Sequence, residues 1–128
     1  MIVIDSSALL AILQNEPQGE ACFQRIKSGD DLVMSASTLA EVLIVSRRRG
    51  IGAQMARLID GMPLTIAPVT EASARRAADA YDRWGRGVHP ARLNFGDCFA
   101  YELAWSRNCP LLFVGDDFLK TDVESALA

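Results

Sequence analysis

Five acidic side chains of this sequence follow apolar runs or open helical patterns, where a chain changes direction. Asp5 closes the run Ile2-Val3-Ile4, Glu41 lies beyond Leu32-Val33-Met34, Asp97 follows Asn94 by three residues, and Asp116-Asp117 comes after Leu111-Leu112-Phe113-Val114-Gly115. Carboxylates gathered in a water-poor cleft repel one another: at an effective dielectric constant near 20, two charges about 4 Å apart cost on the order of 4 kcal/mol. A fold that keeps them together must protonate some or bind cations. An oxygen-only donor set, with no His or Cys among these five side chains, suits hard Mg²⁺ or Mn²⁺ rather than Zn²⁺. Such a site keeps waters and completes its shell with phosphate oxygens. The chemistry this implies is phosphodiester hydrolysis by metal-activated water attacking in line, with 5′-phosphate and 3′-hydroxyl products.

Each acid also has a structural explanation. Asp5 reads as a helix cap, Thr38-x-x-Glu41 matches a capping box, Asn94-x-x-Asp97 is a cap with an acid in the first turn, and Asp116-Asp117 are ordinary turn residues. The joint pattern favours the chemical reading. A shared site requires all of them at one edge, and that depends on the elements that carry them.

Those elements alternate. Ile2 to Ile4 reads as a strand, Ala8 to Leu13 as a helix, and a second helix carries Ala21, Cys22 and Ile26 between Pro17 and Gly29. Leu32 to Met34 is a strand followed by a helix over Thr38 to Arg49 that ends in Arg47-Arg48-Arg49, where cations suit the helix dipole. Ala53 to Ile59 is helical, Leu64 to Val69 a strand, Thr70 to Trp84 and Asn94 to Arg107 helices, and Leu111 to Val114 the last strand. Arg75-Arg76 reads as a solvated helix face. Trp84, Trp105, Tyr81 and Tyr101, at helical positions, read as core. The pattern predicts one three-layer α/β/α domain over residues 1–128, with a central, mainly parallel sheet of four or five strands. In such sheets functional groups collect at the carboxyl ends of the strands. Asp5 and Asp116 then share an edge, and all four acid positions face one cavity if the fourth strand lies beside the first.

Composition narrows the function. With 128 residues, 50% hydrophobic, the chain suits one domain with a real core. A net charge of −3 excludes broad attraction to nucleic acid and demands a local basic patch. All but two of the 13 cationic side chains, Lys27 and Lys120, are Arg, the better fork for phosphate. Cys22, Cys98 and Cys109 show neither a C-x-x-C nor a metal-ligand spacing, consistent with thiols in a reducing cytosol. No apolar run approaches a membrane span, and Asp5 is the sole charge before Ala8 to Leu13, so no secretory leader is expected and the location expected is cytoplasmic. Gly85 and Gly87 lack the Lys and Ser/Thr of a nucleotide-binding loop, so no nucleotide cofactor is expected.

The segments Ile2-Val3-Ile4-Asp5-Ser6-Ser7-Ala8, Leu93-Asn94-Phe95-Gly96-Asp97-Cys98-Phe99-Ala100-Tyr101 and Leu111 to Phe118, with Glu41 between them, resemble the PIN-domain family, and within it the VapC-type toxins, in order and spacing over nearly the whole chain. The resemblance implies a Mg²⁺- or Mn²⁺-dependent endoribonuclease, the toxin of a toxin–antitoxin pair, with Asp5, Glu41 and Asp97 as core acids. It implies Asp116 at the fourth, variable acid position, with Asp117 as the alternative. It further implies a homodimer and a VapB-like antitoxin that lays a segment across the active-site groove. Ser6 falls where the family often has Thr or Ser and would orient a carboxylate or a water. RNA also needs cations on the rim of an acidic site, and Arg86, His89 and Arg92, in the loop before Asp97, are the phosphate contacts expected. Two rivals remain at this stage. A haloacid-dehalogenase-like phosphatase wants a second Asp two residues after the first, where this chain has Ser7, and a silent RNA- or protein-binding module would not need all the acids.

Overall fold

The computed structural model describes residues 1–127. Over these residues the strands are β1 (Ile2–Ile4), β2 (Leu32–Ser35), β3 (Leu64–Ala67) and β4 (Leu111–Leu112). The helices are α1 (Ser6–Leu13), α2 (Gly19–Ile26), α3 (Ala36–Arg48), α4 (Gly52–Asp60), α5 (Glu71–Trp84) and α6 (Phe95–Arg107), followed by a 3-10 turn at Asp117–Lys120. The strands form one parallel sheet in the order β3-β2-β1-β4, so the first and last strands are neighbours. Strand count, parallel pairing and alternation with helices agree with the three-layer expectation.

Period-two alternation divides the sheet between two cores. Ile2, Ile4, Leu32, Met34 and Leu112 face a cluster that includes Ala8, Leu9, Cys22, Val42 and Met55 of α1 to α4. Val3, Val33 and Leu111 face the other, with Ala77, Trp84, Phe99 and Tyr101 of α5 and α6. Strands covered on both faces must be apolar throughout, which is why β1 and β2 are buried at every position. The outer edge of β4 is padded by the C-terminal segment, where Leu111 N donates to Glu124 O at 2.9 Å and Ala126 N to Leu111 O at 2.9 Å.

Some boundaries differ from the sequence reading. The third strand stops at Ala67, before Pro68-Val69, because Pro offers no amide to a ladder. The helix after β2 begins at Ala36 and is capped by Ser35, whose hydroxyl accepts from Ser37 N at 3.2 Å. Thr38 therefore lies inside the helix, and the Thr38/Glu41 capping box does not exist. Arg76 is not part of a solvated face: it joins α5 to α6 through a 2.8 Å ion pair with the buried Glu102. Trp84 and Tyr101 are core residues, whereas Tyr81 and Trp105 are exposed. Among the described residues no helix is long and apolar enough to cross a membrane.

Candidate active site

Asp5 is the first residue beyond β1, and its backbone amide reaches across to Leu112 O at 2.9 Å, so it sits where β1 and β4 end side by side. Its Oδ2 caps α1, accepting from Ser7 N at 3.1 Å and from Ser7 Oγ at 2.6 Å. The capping explanation is therefore real, yet it uses one oxygen only. Ser7 Oγ also accepts from Val114 N at 3.0 Å, tying the carboxylate to the strand end that leads to Asp116. At the position where a phosphatase of the rival class would carry its second Asp, this hydroxyl is structural.

Glu41 lies well inside α3, free of capping duty. Ser6 Oγ donates to Glu41 Oε1 at 2.8 Å, so the first turn of α1 holds the α3 carboxylate at the same edge. Across from it, Gly96 brings the start of α6 so near that a Cβ there would lie 2.2 Å from Glu41 Oε2. Only glycine permits this approach. Asp97, one residue on, is locked by a reciprocal capping box: Asp97 N donates to Asn94 Oδ1 at 2.9 Å and Asn94 N to Asp97 Oδ2 at 3.0 Å.

The electrostatics follow from burial. Asp5 is pushed up to about 6, first by desolvation and also by the charge of Glu41, against the hydrogen bonds from Ser7. Asp97 is pushed up to about 7 by desolvation, against its bond from Asn94 N, and further by the charges of Asp5, Asp117 and Glu41. Three elements thus deliver carboxylates to one edge of the sheet. The charge of Asp117 reaches Asp97, and Asp116 and Asp117 are both exposed and line the same neighbouring cavity.

These residues fit a hard divalent cation. Asp5 and Asp97 are buried, oxygen-only and without a Lys or Arg ion pair among the described residues. Among the same residues no three His, Cys, Asp or Glu side chains converge as a ready-made cage. An ion of the Mg²⁺ type is commonly held through one or two carboxylates and keeps several waters.

Of the expected phosphate contacts, Arg86 and Arg92 line a cavity with Asn94, Asp116 and Asp117, joined there by Lys120, which sequence reasoning passed over. His89 does not join them. Its Nδ1 accepts from Ala91 N at 3.0 Å and its ring packs edge-on against Trp84 at 4.7 Å, so the imidazole braces the loop. Ser7 and Gly96 were also missed as site residues. Their signals were present: an Asp-x-Ser spacing that permits an Asx-type turn, and a glycine inside a helix, which implies a close approach. Lys120 carried no such signal.

Comparison with known proteins bears on the fold and the family. Ribonuclease VapC28 of Mycobacterium tuberculosis is 41% identical, with 98% of each chain covered. The crystal structure of Mycobacterium tuberculosis VapC20, described as a sarcin-ricin loop cleaving toxin, superposes with a TM-score of 0.75 at 17% identity, covering 96% of each chain. A toxin–antitoxin complex from Klebsiella pneumoniae superposes with a TM-score of 0.72 at 12% identity, over 95% of this chain and 93% of that one. The last two speak for the fold alone. The sequence pattern of the PIN domain matches residues 2–124, and with a relative this similar along its full length, the chain belongs to the PIN domain family.

Proposed function

We propose that this chain is a Mg²⁺- or Mn²⁺-dependent endoribonuclease, the toxin of a toxin–antitoxin pair, acting in the cytoplasm. The observation that carries this reading is the pairing of two desolvated carboxylates, Asp5 and Asp97, with Glu41 held at the same edge by Ser6. The ribonuclease names of the relatives support the substrate class, and the toxin–antitoxin complex of the same fold supports a VapB-like antitoxin as partner.

Asp5, Glu41 and Asp97 would hold the cation, with Asp117 or Asp116 adding charge at the fourth position. When bound, one or two such ions acidify a water and offset charge on the phosphate. The protein's part is positioning: Ser7 fixes the Asp5 carboxylate, Ser6 fixes Glu41, and the Asn94 cap fixes Asp97. Water attacking phosphorus in line forms one P–O bond and breaks the bond to the 3′ oxygen, which leaves as a hydroxyl while the phosphate stays on the 5′ end. The ribose 2′-hydroxyl takes no part.

A homodimer belongs to the same reading. An apolar groove of about 750 Å³ lined by Ala74, Ala77, Tyr81, Phe95 and Phe99 includes Phe95, 75% exposed and two residues before Asp97, and in this reading its occupant is a second copy of the chain. Phe95→Asp should then yield a monomer by sedimentation.

Asp5→Asn tests the activity, because Asn preserves the α1 cap while removing the charge. RNA cleavage should vanish with the fold intact, and excess EDTA should abolish cleavage by the unaltered protein. A 2′,3′-cyclic phosphate product, or cleavage undiminished in EDTA, would overturn the proposal.

A further inference from the structure

Beside the acid edge, charges of both signs share one cavity without pairing. Arg86, Arg92 and Lys120 line it together with Asp116 and Asp117, and its volume is about 240 Å³. Among the described residues none of these three cations takes part in an ion pair. The chain that presents them is pinned. Arg86 N donates to Leu93 O at 3.0 Å, and Arg92 N to His89 O at 3.0 Å with φ at 56°, a left-handed conformation rare for a non-glycine residue. Lys120 ends a 3-10 turn anchored by the buried Phe118, whose ring packs 5.2 Å from Phe113. Fixed backbones with free cationic heads make a prepared anion site.

We propose that Arg86, Arg92 and Lys120 form a subsite for one backbone phosphate of the RNA, adjacent to the phosphate that is cut. This rests on the ribonuclease reading. Two guanidinium forks and one ammonium surround the entering phosphate, and Asn94, which lines the same cavity, exchanges hydrogen bonds with Asp97 and so joins the cavity to the acid edge. A phosphodiester chain carries a charge at every residue, so one phosphate can lie among the cations while its neighbour lies at Asp5 and Asp97. An anion of any other kind would satisfy the cations but leave the acids unused.

The test is the salt dependence of binding, followed by fluorescence anisotropy with a fluorescein-labelled single-stranded oligoribonucleotide and Mg²⁺ present, in an Asp5→Asn background to prevent cleavage. Each phosphate neutralised on a single strand contributes about 0.7 to the slope of log K against log salt. Replacing Arg86, Arg92 and Lys120 together by Ala should lower the slope by about that amount. Lys120→Ala alone, on an exposed side chain, should weaken binding, and Lys120→Arg should restore it. The same loss of charge elsewhere, through Arg47→Ala, Arg48→Ala and Arg75→Ala, should leave the slope unchanged. An unchanged slope in the cavity variants overturns the subsite, as does an equal fall in the control. So does polyglutamate displacing RNA as well as unlabelled RNA does. If the unaltered protein cuts RNA while the slope stays constant, the subsite alone fails; if it neither binds nor cuts RNA, the ribonuclease reading fails with it.

Discussion

Gly96 and Glu41 meet with no room for a side chain between them: a Cβ on Gly96 would lie 2.2 Å from Glu41 Oε2, and 3.0 Å from the carboxyl carbon. The neighbour that must give way is the far end of a flexible side chain. Gly96→Ala should therefore displace the carboxylate rather than unfold the protein, and Ala in place of Gly within a helix returns about 0.5–1 kcal/mol. We expect a melting temperature close to that of the unaltered protein and a large fall in kcat for RNA cleavage. A fully active Gly96→Ala protein would remove Glu41 from the site.

Ser6→Ala takes away the donor that holds Glu41 Oε1. Removing a partner that orients a metal-binding carboxylate costs about 10–100-fold in metal affinity or activity. The expected signature is a shift in the Mg²⁺ concentration needed for half-maximal cleavage, with Ser6→Thr closer to normal than Ser6→Ala. Isothermal titration with Mn²⁺ reads the same shift without turnover.

Ser7 serves two elements at once, donating to Asp5 and accepting from Val114 N. Ser7→Ala leaves a part-buried amide and a buried carboxylate each one partner short, a cost of about 1–3 kcal/mol. Urea denaturation should show a lowered midpoint with unchanged slope. A neutral result would mean that water replaces the hydroxyl at both partners.

Burial holds the Asp5 carboxyl up at about 6 and that of Asp97 at about 7, each from an ordinary value of 3.8. Across that interval the folded chain binds more protons than the unfolded chain, so the derivative of unfolding free energy with pH is negative. The stability that the neutral acids contribute is complete below their ordinary value and is lost as pH rises through about 6 and about 7. In EDTA the melting temperature should fall between about pH 5 and about pH 8. Added Mg²⁺ should raise it most at the alkaline end, where ionised carboxylates bind the ion. A melting temperature in EDTA that climbs over this interval would contradict the desolvated placement of both acids.

Much of this was legible in the chain itself. Short β-branched runs alternating with helical spacing determined a parallel sheet covered on both faces, and the rule that sites lie at strand ends singled out Asp5 and Asp116. The Asn94-x-x-Asp97 cap was also correct as a cap, since it is a local bond between residues three apart. Local rules failed at Thr38, where a matching motif lost to Ser35 because β2 runs one residue further and hands its last side chain to the helix.

What the sequence alone determined is the set of acids and the periodicity that builds the layers, because both depend on residue type and short-range spacing. Only the tertiary structure decided that β4 lies beside β1, that Gly96 faces Glu41, that the charge of Asp117 reaches Asp97, and that Lys120 replaces His89 beside Arg86 and Arg92. Each of these is a juxtaposition of residues far apart in the chain, fixed by which apolar faces bury one another and not by any pattern within a single segment.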